Sequence, residues 1–170
     1  MNIYEVTVRY ERAGEKGLNT KVVEQYIIEA KSCAASELGL MKMLAPAVTG
    51  MCEVISIKRS VVNEIIADKY GLESQVTGEA ARLMGNKTAN IEADRYYKAK
   101  IAFGFIDELT GKIKKTSRFY FIFAGSVEAA HRVLEAHLRK CVMDYEVLAL
   151  LETKFIDYAH ITEDGEAVVV

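Results

Sequence analysis

The sequence predicts an α+β fold made of two tandem ββαβ repeats, with antiparallel sheets, helices packed on them, and a pseudo-twofold relation between the copies. Three observations predict it. The stretch "YEVTVRY" alternates Tyr4, Val6, Val8 and Tyr10 with Glu5, Thr7 and Arg9, the period of a half-buried strand. The order strand, turn, strand, helix, strand is then legible twice along the chain. The two readings also keep register: Tyr4 lies 93 residues before Tyr97, Tyr26 lies 94 before Tyr120, Ser32 lies 94 before Ser126, and Glu53 lies 93 before Glu146.

The elements follow in order. After the first strand, "AGEKGLN" supplies a glycine-bearing turn and "TKVVEQYIIEA" the returning strand of a hairpin. Ser32 is placed to cap a helix through "CAASELGLMKML", with Pro46 just beyond it. "CEVISIKRSVVNEII" reads as a long strand, bent or broken near Ser60. This first repeat spans residues 1–66. A connector follows at 67–95, with a short helix expected at Glu79 to Met84. The second repeat, 96–161, opens with "YYKAKIAFGF", turns at "DELTGK" and returns through "SRFYFIFA". Ser126 caps "VEAAHRVLEAHLRKC", whose apolar stripe is Val127, Ala130, Leu134, Leu138 and Cys141, leaving Arg132, Glu135 and Arg139 outward. "YEVLALLETKFIDY" reads as one closing strand, and the tail 162–170 offers Ala167 to Val170 as an edge strand, in this molecule or a neighbour. "RFYFIFA" and "VLALL" are continuously apolar, as expected of strands covered on both faces or packed against another layer, whereas the first copy keeps Glu24, Gln25, Ser56 and Lys58. The second copy is therefore expected to be more central and the first more exposed.

Composition bounds the function. The chain has 170 residues, 51% of them hydrophobic, and a formal charge of −2. That balance argues against whole-protein attraction to nucleic acid or anionic membrane. Three cysteines, Cys33, Cys52 and Cys141, show no paired spacing and read as small buried thiols in a reducing compartment. No leader pattern and no apolar run of membrane-spanning length is present, so the expected location is the cytoplasm, with no membrane partner.

Chemistry-bearing residues are few. His137 and Cys141 stand four apart on a helix, a spacing that supplies two metal ligands, but no second pair completes a site and the expected metal is none. The preferred reading is a buried thiol beside a helix-edge histidine. Cys33 or Cys52 with His160 is a conceivable nucleophile pair that nothing in the sequence brings together. Asp107 with Glu108 suits a hairpin turn, Asp144 a helix-to-strand junction, and Glu152 with Asp157 the closing strand. No phosphate-loop, dinucleotide, zinc-protease or nucleophile-elbow motif occurs, so catalysis and cofactors are not expected. In "KIKKTSRFYF", Lys112, Lys114, Lys115 and Arg118 adjoin Tyr120 and its aromatic neighbours, the chemistry of a single-stranded nucleic-acid platform. Lysines at a hairpin tip and aromatics in a core explain the same residues. Lys58, Arg59, Lys98 and Lys100 are strand cations displaced from the apolar alternation and mark a candidate anion- or partner-binding face.

The set "YEVTVRYE", "EVISIKR", "YYKAKIAF", "DELTGK", "DYEVLALLET" and "FIDY" resembles a domain-of-unknown-function family of Bacteroides-type gut bacteria and their phages. The resemblance covers both copies and implies a phage or mobile-element origin. It carries no catalytic residue to transfer. The expected function is a non-enzymatic binding protein that engages a host or phage protein, or a small anionic ligand, between its repeats. The alternatives are a single-stranded nucleic-acid binder and, least favoured, a metal- or thiol-dependent enzyme. Homo-oligomerisation through the tail is compatible with each.

Overall fold

A computed structural model describes residues 1–14, 18–66 and 95–169. The short helix expected at Glu79 to Met84 lies outside the described residues. The fold is α+β, with mixed sheets and two described helices, and the chain divides into two compact units. One comprises Met1–Val61 with Lys154–Val170, the other Val62–Thr153.

In the first unit, β1 (Asn2–Ala13) and β2 (Asn19–Ala30) form a hairpin, α1 spans Cys33–Leu44, and β3 (Cys52–Arg59) returns antiparallel to β1. In the second unit, β4 (Glu64–Ile66) precedes the hairpin of β5 (Arg95–Ile106) and β6 (Ile113–Ala124). Helix α2 (Val127–Leu138) and β7 (Tyr145–Glu152) follow. The chain then returns to the first unit with β8 (Phe155–Ile161) and β9 (Ala167–Val169), the edge strand expected from the tail. Strand order is β3-β1-β2-β8-β9 in one sheet and β4-β6-β5-β7 in the other.

Local chemistry sets these elements. The Ser32 hydroxyl accepts the Ala35 N–H at 3.1 Å and Ser126 accepts that of Ala129 at 3.1 Å, so each helix starts on a capping serine. The alternation in "YEVTVRY" buries Tyr4, Val6, Val8 and Tyr10 with Tyr26, Ile28, Leu40, Leu44 and Ile161. Tyr97, Ala99, Ile101 and Phe103 are buried likewise with Tyr120, Ile122, Leu134 and Leu138.

Four expectations are corrected. First, the reading "CEVISIKRSVVNEII" breaks near Ser60, as expected, and "YEVLALLETKFIDY" breaks too. The second part of each, however, joins a different sheet from its first part: β4 pairs parallel with β6, and β8 parallel with β2. The two compact units change over between Val61 and Val62 and between Thr153 and Lys154. Hydroxyl residues turn the chain at both breaks. Ser60 donates its N–H to the Ile3 carbonyl and its hydroxyl to Glu5, and Thr153 donates both its N–H and its hydroxyl to the Tyr96 carbonyl. Second, the units are buried alike: Tyr26, Ile27 and Ile28 of β2 are buried just as Tyr120, Phe121 and Ile122 of β6 are. Glu24 is tolerated in β2 because two tyrosine hydroxyls donate to it. Third, "VLALL" is not covered on both faces, since Leu148 and Leu151 of β7 are 46% and 65% exposed. Fourth, the thiols are not buried. Helix α2 ends at Leu138, so Cys141 lies beyond the helix and exposed, Cys33 is exposed, and Cys52 is half-buried. Val127, at the helix start, is also exposed. No helix among the described residues is long and apolar enough to cross a membrane.

Candidate functional site

Among the described residues, a well-formed concavity lies at one end of the second unit, where the β5–β6 hairpin projects past the start of β7. It is a cleft of about 440 Å³, within the roughly 300–1,000 Å³ range of small-ligand sites. Ala102, Gly104, Phe105 and Ile106 form one wall, Ile113 and Lys115 the returning strand, and Val142, Met143, Asp144, Tyr145 and Glu146 the opposite side. The projecting hairpin is pinned at its turn. Asp107 accepts the N–H groups of Leu109 and Thr110, Lys114 pairs with its carboxylate, and Gly111 takes a φ of 66°. The Lys114 ammonium, with those backbone donors, holds the Asp107 carboxyl below the usual carboxylate range. Behind the cleft, the rings of Phe103 and Tyr145 lie 6.4 Å apart and the Arg118 guanidinium sits 5.6 Å from the Phe103 ring.

Gly104 is what leaves the cleft open. It donates its N–H to the Asp144 carbonyl at 2.9 Å, as Glu11 donates to the Met51 carbonyl at 3.0 Å in the first unit. There the end is filled. Arg9 pairs with Glu53 at 2.5 Å, Lys21 approaches Glu11 at 3.8 Å, and only about 180 Å³ remains among Arg9, Tyr10, Glu11, Lys21, Met51 and Glu53. A Cβ at Gly104 would meet nothing nearer than an Ile113 methyl at 3.9 Å, so the missing side chain is not demanded by the backbone. Reasoning from sequence did not select Gly104, Ala102 or Asp144 as a cleft. The signal was available, because residues 93 earlier are Glu11, Arg9 and Met51.

The cations singled out from sequence are divided between the units. Lys58 and Arg59 are neighbours on β3, so they face opposite sides of the sheet; Lys58 pairs with the buried Glu5 at 2.8 Å, and Arg59 is exposed. Lys98 and Lys100 share a face of β5 and lie over the rings of Phe121 and Phe119, at 5.4 and 5.8 Å. Of the basic hairpin, Lys115 lines the cleft and bridges to Glu146 at 3.4 Å, Lys114 is held by Asp107, and Lys112 is exposed. Tyr120 is buried and its hydroxyl is pushed to higher pKa by desolvation, while Phe121 is wholly buried. The basic residues and these rings therefore do not form a common surface.

His137 is brought to Glu64 at 3.4 Å and stacks edge-on to Tyr120 at 5.9 Å. Among the described residues no group of three or more His, Cys, Asp or Glu side chains is placed to hold a metal. His160 meets Glu29 at 3.2 Å, and Tyr158 donates its hydroxyl to the same carboxylate at 2.6 Å. Glu152 pairs with Arg95. Burial pushes the Glu29 carboxyl up, but the hydrogen bonds from Tyr158 and His160 outweigh it and its pKa falls.

Compared with known proteins, residues 2–161 match a family described as a domain of unknown function, DUF4494. No curated protein matches the chain.

Proposed function

The chain belongs to that family, and we propose that it is a non-enzymatic binding protein whose receptor site is the cleft at the open end of the second unit. The observation that carries this is the contrast at one backbone bond. Where Glu11 and its ion-paired neighbours fill the first unit, Gly104 and Ala102 leave about 440 Å³ edged by apolar side chains, Lys115, Asp144 and Glu146. Apolar walls with a few polar groups are the usual composition of a ligand site. In this reading the two units are copies of one ββαβ design, supported by their shared capping serines and their shared register. One copy has been closed and the other fitted to receive a small ligand or a side chain of a host or phage protein. The setting is the cytosol of a Bacteroides-type bacterium carrying the phage or mobile element.

The test is titration of the full chain with an apolar fluorescent dye, anilinonaphthalene sulfonate, followed by emission. One saturable site is expected, with affinity lowered at least about tenfold in Gly104→Glu, whose new side chain enters the cleft. Dye binding that Gly104→Glu leaves unchanged overturns the assignment.

A further inference from the structure

Resting on the cleft as a binding site, we infer that strand β7 takes up an extended segment of a partner protein, apolar and carrying lysine or arginine, as an added strand whose end enters the cleft. Strand β7 closes its sheet: no described strand lies beyond it. The bonds from Gly104 N–H to Asp144 and from Thr153 N–H to Tyr96 bracket its ladder with β5. In an antiparallel ladder, alternate residues turn their backbone groups away from the partner, so β7 offers a row of donors and acceptors to one side.

Natural sheets blunt such edges, above all with lysine. Strand β3, an antiparallel edge of the other sheet, obeys: Lys58 faces Glu5 on β1, with Arg59 beside it. On β7 the residue facing Lys98 is Leu151, with Leu148 also exposed. The undefended edge runs into the cleft without a break, because Tyr145 and Glu146 belong to both. An extended peptide alone uses both features. Its main chain continues the sheet, and a side chain at its end fills the cleft.

Charge narrows the occupant further. Asp144, Glu146 and Glu152 are acidic, and β7 carries no cation. Glu146 and Glu152 meet Lys115 and Arg95 only in exposed bridges, and Asp144 has no ion-pair partner among the described residues. A second copy of β7 would bring acid to acid, whereas a basic apolar segment is complementary.

The experiment is selection of displayed random twelve-residue peptides on the immobilised full chain, with fluorescence polarisation of the enriched sequences as free peptides. Enriched peptides are expected to alternate apolar residues with lysine or arginine. Their affinity is expected to fall about tenfold in Leu151→Lys and in Leu148→Lys, at unchanged melting temperature, and to vanish when alternate peptide amides are N-methylated. Failure to enrich any peptide, enrichment of acidic ones, or affinity indifferent to both lysine variants and to N-methylation overturns the inference. A dimer in native mass spectra that Leu151→Lys dissolves would also overturn it, in favour of a second copy. Dye binding blocked by Gly104→Glu, with no peptide enriched, would leave the cleft standing and remove only the added strand.

Discussion

At the end of the first unit, Arg9, Glu11, Lys21 and Glu53 close the space between hairpin and edge strand; at the end of the second, Ala102 and Gly104 leave it open. The backbone bond beneath is the same, Glu11 N–H to Met51 and Gly104 N–H to Asp144. The contrast continues one layer in. Tyr10 and Tyr26 both donate to Glu24, with burial the first cause that raises both their pKa values, whereas Phe103 is covered by Arg118. Similar backbone bonds thus lie beneath two different surfaces, and function is to be sought in the side chains that differ and not in the fold.

The largest effect tests the scaffold itself. Leu40 of α1 and Leu134 of α2 are both wholly buried against their sheets. Leu40→Ala and Leu134→Ala are each expected to cost about 2–5 kcal/mol in urea denaturation. Costs that differ by more than that range would show that the units are not built alike. A smaller effect tests the surface. The double substitution Arg9→Ala with Glu11→Gly reproduces the open end in the first unit. It is expected to raise dye stoichiometry from one site to two while costing roughly 1–2 kcal/mol, since it removes the surface pairs Arg9–Glu53 and Lys21–Glu11 and sets a glycine in β1. Stoichiometry that stays at one would mean that more than these two side chains distinguishes the ends.

The smallest effect concerns acid. The Glu29 pKa is depressed below the ordinary 4.5. A carboxyl lowered on folding stabilises above its unfolded value, and that stabilisation is lost as pH falls through the folded value. Melting curves of Glu29→Gln should therefore lie slightly below those of the parent chain at pH 7 and meet them below pH 4. A gap of constant size across that range would remove Glu29 from the acid limb.

Much of the fold is legible in the sequence because its signals are local. Capping by Ser32 and Ser126, the alternation through Tyr10, and the turn at Asp107 and Gly111 each reside within a few residues. The exchange of β4 and β8 was not legible. A break near Ser60 could be read, but nothing local says which sheet "SVVNEII" or "FIDY" joins, because their partners, Tyr120 and Tyr26, lie far away in the chain. The cleft was hidden for a similar reason: Gly104 reads as a residue of a strand until Asp144 is brought beside it. The cysteine prediction failed differently. Helical spacing extended the stripe to Cys141, but the helix stops at Leu138, where Arg139 caps it.

The exchanged strands also bear on how the protein is made. Strand β2 ends at Ala30, and the residues that flank it in parallel begin at Phe155. At about 5–20 residues per second, a ribosome leaves that edge without its native neighbour for roughly 6 to 25 s. The first sheet is therefore completed by residues made long after its hairpin, and pairings so distant in sequence are slow to close. The first unit, split in sequence, therefore cannot mature until the chain that builds the second has been made.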